Sequence, residues 1–261
     1  MLLAIDIGNT GITLGLFEDD KLGSQWRLAS DNERTSDEYG ILMAQLLERA
    51  GFNTRDNGVI SGAAIASVAP ALTGALTRAC RDYLRVDPLV VDAGTRTGIQ
   101  LRYEDPKQIG ADRVANAVAA RHLYNGPACI VDFGTATSFD ALSDEGEYIG
   151  GAIAPGVGVA ADALFRRASK LPRVDIRRPP SVIGRNTAHS LQSGLLYGYV
   201  GLVEGMVCRF REILGAEMKT IGTGAMAEPI AEETGVIDIV NPWLTLEGLK
   251  IIYKLNRKYP G

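Results

Sequence analysis

Short apolar runs that end on an acid punctuate this chain. Leu2 to Ile5 closes on Asp6, and after Gly11 the segment Ile12 to Phe17 is again mostly apolar, with the Asp19-Asp20 pair beyond it. That pattern predicts a strand, a tight Gly-Asn turn and a second strand. Past a polar stretch, Thr35 to Ala50 carries Tyr39, Leu42, Met43, Leu46 and Leu47 at helical spacing, with Ser36 expected as the cap ahead of Asp37-Glu38. Gly62 to Val68 and Leu89 to Val91 read as buried strands, separated by a helix from Ala71 to Leu84 that Pro70 opens. A further helix is expected from Asp112 through Ala120.

The same pattern returns close to half a chain later. Ala128 to Val131 is an apolar run ended by Asp132, and Asp132-Phe133-Gly134-Thr135-Ala136 can be set against Asp6-Ile7-Gly8-Asn9-Thr10. Both read as strand, Asp, any residue, Gly and then small polar or small residues, and the strand-turn-strand pattern recurs from Ser138 to Ile149. An internal duplication follows, with an expected division into lobes at 1–120 and 121–261. Beyond it lie the Gly-rich segment Gly150 to Gly158, a helical stretch from Ala160 to Leu171, a long one from Ser190 to Leu214, and a strand entering a turn at Thr220 to Gly224.

Composition narrows what such a chain does. With 261 residues, 46% hydrophobic and 22% charged, it buries a substantial core and does not resemble a disordered or fibrous protein. Lys and Arg total 27 against 31 Asp and Glu, and a net charge of −4 supplies no global attraction to nucleic acid or anionic lipid, so neither is expected as a partner. The basic cluster Arg166, Arg167, Lys170, Arg173, Arg177 and Arg178 is expected to be a solvated face or a subunit contact. Cys80, Cys129 and Cys208 have no metal-ligand or disulfide spacing and are expected to be buried thiols. Met1 to Asp6 lacks a basic region and meets a charge at once, and no long apolar window follows, so a cytoplasmic, membrane-free protein is expected. His122 and His189, the only histidines, are too few for a zinc triad.

An Asp at the carboxyl end of a buried strand, followed by Gly and small polar residues, sets backbone N–H groups beside a fixed carboxylate. The N–H groups can cradle phosphate oxygens, and the carboxylate can hold a hydrated cation such as Mg²⁺. One copy is more often just a sharp hairpin, but two copies offer donors from two sides to a nucleoside triphosphate.

Together these two motifs resemble the phosphate motifs of the acetate and sugar kinase, heat-shock-70 and actin superfamily. Gly110-Ala111-Asp112-Arg113, Gly150 to Gly156 and Ile183-Gly184-Arg185-Asn186-Thr187 narrow the resemblance to type III pantothenate kinase. Trp26-Arg27-Leu28, Thr35 to Tyr39 and Asp112 to Ala117 extend it nearly end to end. The resemblance implies an α/β fold of two actin-like (ribonuclease H-like) lobes with a nucleotide cleft between them, and transfer of phosphate from ATP to pantothenate. It implies that Asp6, Ile7, Gly8, Asn9, Thr10, Gly11, Ile12 and Thr13 line the ATP phosphates with Thr135, and that Asp132 holds potassium or ammonium. It gives Asp112 the role of base, since a carboxylate in hydrogen-bond reach can take the proton of a primary alcohol. It places Gly110, Ala111, Asp112 and Arg113 in the pantothenate site with Tyr103 and Thr187, and implies a homodimer, for which Ser190 to Leu214 is a candidate interface.

Each role has a plainer counterpart. Asp112 can cap its helix or pair with Arg113 at the surface, Tyr103 can be a half-buried core tyrosine, and Thr187 can be a helix cap. The Gly-rich segment lacks the Lys-Ser or Lys-Thr of a Walker A loop and is assigned a positional role. Thr223-Gly224-Ala225 departs from the family's Thr-Gly-Gly, which bears on the purine contacts, and Ser138 replaces a usual Thr while keeping a hydroxyl. A kinase for another hydroxylated acid and a nonenzymatic regulator on the same fold are the rival readings. Retention of Asp6, Asp112 and Asp132 argues against the second.

Overall fold

The amino-terminal apolar run is β1 (Leu2–Ile7), buried on both faces at the middle of a five-stranded sheet. In chain order it is joined by β2 (Gly11–Glu18), β3 (Lys21–Ala29), β4 (Gly62–Ser67) and β5 (Pro88–Val90), arranged β3-β2-β1-β4-β5. β1 runs antiparallel to β2 and parallel to β4. The computed structural model describes residues 1–52 and 59–257.

Alternation along these strands sorts the helices. Leu3, Ile5, Ile7, Ile12, Leu14 and Leu16 face the buried sides of α1 (Ser36–Arg49) and α2 (Pro70–Leu84), including Tyr39, Met43, Leu47, Leu72 and Leu76. Thr35, not Ser36, caps α1: its hydroxyl accepts from Glu38 N, while the Glu38 carboxylate accepts from Thr35 N. The expected cap is therefore one residue late, because Glu38 sits three residues after Thr35, as a capping box requires. Pro70 opens α2 as expected.

α3 (Ala111–Tyr124) follows, and then the second sheet: β6 (Ala128–Phe133), β7 (Ala136–Leu142), β8 (Tyr148–Pro155), α4 (Val157–Arg167), α5 (Thr187–Leu214), β9 (Lys219–Gly224), α6 (Ala227–Ala231) and β10 (Ile239–Val240). Its order is β8-β7-β6-β9-β10, with β6 antiparallel to β7 and parallel to β9. That repeats the first sheet strand for strand. Even the irregularity in the β2–β3 pairing at Leu16/Phe17 returns in β7–β8 at Ala141/Leu142. The duplication suggested by two short motifs is thus carried by two sheets of one topology.

In the second core, Cys129, Val131, Phe133 and Phe139 pack on Leu196, Val200, Val203 and Val207 of α5 and Ile230 of α6. The apolar stripe of α5, a candidate subunit interface by its sequence, is spent on this core. The Gly-rich segment is not a loop over most of its length, since β8 runs through Gly150 and Gly151 to Pro155.

α7 (Leu244–Arg257) ends the described chain. Leu244, Leu246, Leu249 and Ile252 are almost wholly buried, and the helix packs on β1, β2 and β4. Its Lys250 is buried over the Phe17 ring, donates to Asp20 O at 2.9 Å and pairs with Glu247, and Lys254 also binds Asp20. One compact unit therefore comprises residues 1–99, 104–119 and the chain from 244 onward, and the other residues 100–103 and 120–243. The expected division into 1–120 and 121–261 assigned this last helix to the second lobe. Its contacts put it on the first sheet, and Gln100–Tyr103 goes with the second unit.

Candidate active site

Both sheets carry an aspartate at the same place in the hairpin. Asp6 pairs with Thr13 across β1 and β2, and Asp132 with Ser138 across β6 and β7. Each is half-buried at the carboxyl end of its strand. In the first turn Gly8 N donates to Gly11 O at 3.0 Å, and in the second Gly134 N donates to Ala136 O at 3.0 Å. The first turn is one residue longer, leaving Asn9 and Thr10 exposed at its tip, as Thr135 is at the tip of the second. Ile7 and Ile12 have no exposed side-chain surface and belong to the core, so any contact they make with a ligand is through their backbone.

Each turn is tied from outside. Ser30, just past β3, donates through Oγ to Gly8 O at 2.6 Å and through its N–H to Thr10 O at 3.3 Å. Gly156, between β8 and α4, donates its N–H to Thr135 O at 3.0 Å. The Gly-rich segment thus holds the second turn, the positional role expected of it. Ser30 carries no local signal in the sequence, because its partners lie a whole hairpin away.

Asp112 sits in the first turn of α3, half-buried, its Oδ1 accepting from Arg113 N at 2.8 Å. The carboxylate thereby serves one of the unpaired N–H groups at a helix start, where negative charge is also favoured. Burial pushes the Asp112 carboxyl above the usual carboxylate range, and the Arg113 N–H and guanidinium pull it partly back. Arg113 is only 9% exposed, which removes the surface ion pair as an account of these two residues.

Gly110 makes room for this carboxylate. A Cβ there would lie 2.4 Å from Asp112 Oδ1 and 3.3 Å from Val68 Cγ1. Val68 follows β4, and its N–H donates to Ile7 O at 3.0 Å. Asp112 is therefore lodged at the carboxyl ends of the parallel pair β1 and β4, the same end at which Asp6 and the Gly8–Gly11 turn emerge. Within the first unit, a base candidate and a phosphate-turn candidate share the carboxyl ends of the strands, as ligand sites in α/β folds do.

Of the other expected substrate contacts, Ala111 and Arg113 accompany Asp112 on α3, and Gly110 immediately precedes it. Tyr103, 36% exposed, belongs to the second unit and stacks at 6.1 Å on Tyr148. Thr187 is the exposed first residue of α5, and the cap is its neighbour Asn186, whose side chain accepts from His189 N at 2.8 Å.

A family model for type III pantothenate kinase matches residues 2–209. A type III pantothenate kinase of Moorella thermoacetica is 50% identical over 256 residues, which is 98% of this chain and 100% of that one. The chain belongs to the type III pantothenate kinase family. Two solved structures with the same fold are more distant in sequence. A Campylobacter jejuni protein provisionally named a Baf family transcriptional activator aligns with TM-score 0.61 at 18% identity, covering 98% of this chain and 100% of that one. A ROK hexokinase of Thermus thermophilus aligns with TM-score 0.50 at 14% identity, covering 98% and 99%.

Cys80 and Cys129 are buried, their thiols pushed up by desolvation, Cys80 to about 12. Cys208 is exposed, so the expectation of three buried thiols fails there: it lies on α5 off the stripe that faces the core. Among the described residues no group of three or more His, Cys, Asp or Glu could hold a metal ion, and no helix is long and apolar enough to cross a membrane. The expected basic cluster is spread out and solvated, with Arg173 pairing to Asp162 at 3.5 Å and Arg178 to Glu233 at 3.3 Å.

Proposed function

We infer that this chain phosphorylates the 4′-hydroxyl of pantothenate with ATP, the opening step of coenzyme A synthesis, with Asp112 as the base. The observation that carries the reading is identity at half of all positions, over nearly the whole chain, to a curated type III pantothenate kinase. In this proposal Asp112 takes the hydroxyl proton as the new bond to the γ-phosphorus forms and the bond from that phosphorus to the β,γ-bridging oxygen breaks, releasing ADP. A carboxyl raised by burial is a stronger proton acceptor than an ordinary aspartate, which suits the task. Arg113 is suited to grip the carboxylate of pantothenate. The backbone of Asp6 to Thr13, with Thr135, is proposed to bind the phosphates of ATP.

The residues present suit a cation. Asp132 offers a hard carboxylate oxygen, and because no group of three or more His, Cys, Asp or Glu among the described residues could hold a metal ion, a cation here would complete its shell with water and phosphate oxygens, the usual habit of Mg²⁺ in kinases. A bound Mg²⁺, or potassium or ammonium at Asp132, would neutralise charge on the phosphates. Turnover is expected to rise severalfold when potassium or ammonium replaces sodium, and Asp132→Ala is expected to abolish that preference. Initial rates in matched chloride salts test this, and a rate indifferent to the ion removes the role given to Asp132.

A homodimer in the cytoplasm completes the proposal. Ile149 and Ile153 on the outer face of β8, Val159 and Leu164 on α4, and Val182 and Ile183 are all exposed apolar side chains of the second unit, chemistry that a second copy would cover. None of the three cysteines is in a disulfide. The deciding experiment is ADP release by the purified protein with a panel of hydroxylated acids. Release that depends on pantothenate is expected. Dependence on a different acid would reassign the acceptor, and silence with every acid would leave a nucleotide-binding regulator.

A further inference from the structure

The mechanism makes no use of the most deeply buried carboxylate near the Tyr103 segment. Asp140, on β7, has no exposed surface. It accepts from Tyr148 Oη at 2.8 Å through Oδ1 and from Ser138 Oγ at 3.3 Å through Oδ2. Tyr148, the first residue of β8, is likewise fully buried. A buried carboxylate is costly unless hydrogen-bonded, so these donors and the acid depend on one another.

Tyr148 faces two ways. Its hydroxyl is fixed by Asp140, while its backbone clasps the chain at 100–102: Tyr148 N donates to Gln100 O at 2.9 Å and Arg102 N donates to Tyr148 O at 2.7 Å. The clasp is a single parallel bridge between Leu101 and Tyr148, outside any strand ladder. Glu147 adds a two-pronged ion pair, accepting from Arg102 Nε at 3.2 Å and Arg102 Nη2 at 3.0 Å. The next residue is Tyr103, whose ring meets the Tyr148 ring at 6.1 Å and 56°, a tilted aromatic contact. A four-residue strap that would otherwise be a free connection is therefore held by the Tyr148 backbone and the Glu147 carboxylate, with the Tyr103 ring resting on a Tyr148 side chain that is locked from inside the sheet.

We propose that Asp140 and Tyr148 are positioning residues for the acceptor site: the buried Asp140–Tyr148 hydrogen bond fixes the ring on which Tyr103 rests, and so sets the affinity for pantothenate without touching it. This rests on the assignment of Tyr103 to the pantothenate site. A ring with a free rotation or a loosened backbone clasp would leave Tyr103 spread over several positions, and the loss would fall on acceptor binding.

The test is a double-mutant cycle on steady-state kinetics. Tyr148→Phe keeps the ring and removes the hydroxyl. It is expected to raise KM for pantothenate about fivefold, the effect of one buried hydrogen bond, while KM for ATP stays unchanged and kcat stays within about twofold. Combined with Tyr103→Ala, the same substitution is expected to add nothing further. Arg102→Met, at an exposed side chain, is expected to move the same KM by a smaller factor, and it carries the test should Tyr148→Phe fail to fold. An unchanged pantothenate KM in Tyr148→Phe, or an equal rise whether or not Tyr103 is present, overturns the proposal. No effect of Tyr103→Ala by itself would instead refute the assignment of Tyr103, and with it this inference.

Discussion

Asp112→Asn is expected to lower kcat by roughly 10²–10⁴-fold, the usual contribution of a positioned general base, while the affinity for ATP changes little. The substitution is close to isosteric, and the amide oxygen can still accept from Arg113 N, so the first turn of α3 keeps its shape. What is lost is the ability to hold the proton of the alcohol. Single-turnover rates with saturating ATP, together with nucleotide affinity by equilibrium titration, separate the two effects. A variant that turns over at the wild-type rate would remove Asp112 from the chemistry.

The raised carboxyl adds two pH signatures to this prediction. In the wild type, kcat/KM for pantothenate should fall on the acid side with a midpoint above the ordinary carboxylate range, because the working form is the deprotonated one. The same shift has a cost in stability. A group whose folded pKa exceeds its unfolded value binds more protons when folded, so it destabilises the fold progressively as pH rises through the folded pKa. Asn carries no charge to desolvate. Asp112→Asn should therefore melt higher than the wild type at neutral pH, and the gap should close below about pH 4, where the unfolded carboxyl is also protonated. A variant both dead and more stable is what a buried catalytic acid leaves behind; a merely structural capping aspartate would give the opposite sign.

What the sequence makes legible follows from locality. β1 and β6 announce themselves because both are buried on both faces, so each is an unbroken apolar run that stops at the aspartate where the strand meets the turn. Phosphate-turn candidates are contiguous, and their residue types carry the chemistry. β3 escapes notice because it alternates exposed and half-buried along its whole length, and Lys21, Ser24, Gln25 and Arg27 read as a polar connection. Its pairing with β2 supplies the hydrogen bonds that its side chains do not advertise. Ser30, Asp140 and Tyr148 act on partners set by strand register or by a distant segment, and no spacing rule reaches them. The partial burial of Asp112 is equally silent in sequence, since Asp-Arg at a helix start is also what an exposed cap looks like. α7 falls outside the sequence reading, which ends at Gly224, although its apolar spacing is that of an amphipathic helix, and its return to the first sheet is a matter of topology.

That return underlies the second large effect: Gly248→Ala is expected to cost about 3 kcal/mol, the upper part of the usual range for overpacking, and to lower Tm by roughly 10 °C. A Cβ at Gly248 would lie 1.9 Å from Ala115 O and 2.5 Å from Ala115 C. These are backbone atoms of α3, which cannot swing aside as a side chain would. Next to them Thr245 Oγ1 donates to Asn116 Oδ1 at 2.8 Å, a buried bond between the same two helices. To admit one methyl group, α7 and α3 must separate, and α3 carries Asp112 one turn before the contact. Activity per folded molecule should therefore fall along with stability, with KM for pantothenate rising as Arg113 and Gly110 shift with the helix start. Gly194→Ala is the matched control, because a Cβ there meets nothing within 4 Å. In the middle of α5 it should stabilise by about 0.5–1 kcal/mol through helix propensity alone. Thermal melts of the two variants, identical in chemistry, should move in opposite directions. If Gly248→Ala melts with the wild type, the close approach of α7 to α3 is not what holds the start of α3, and with it Asp112, in place.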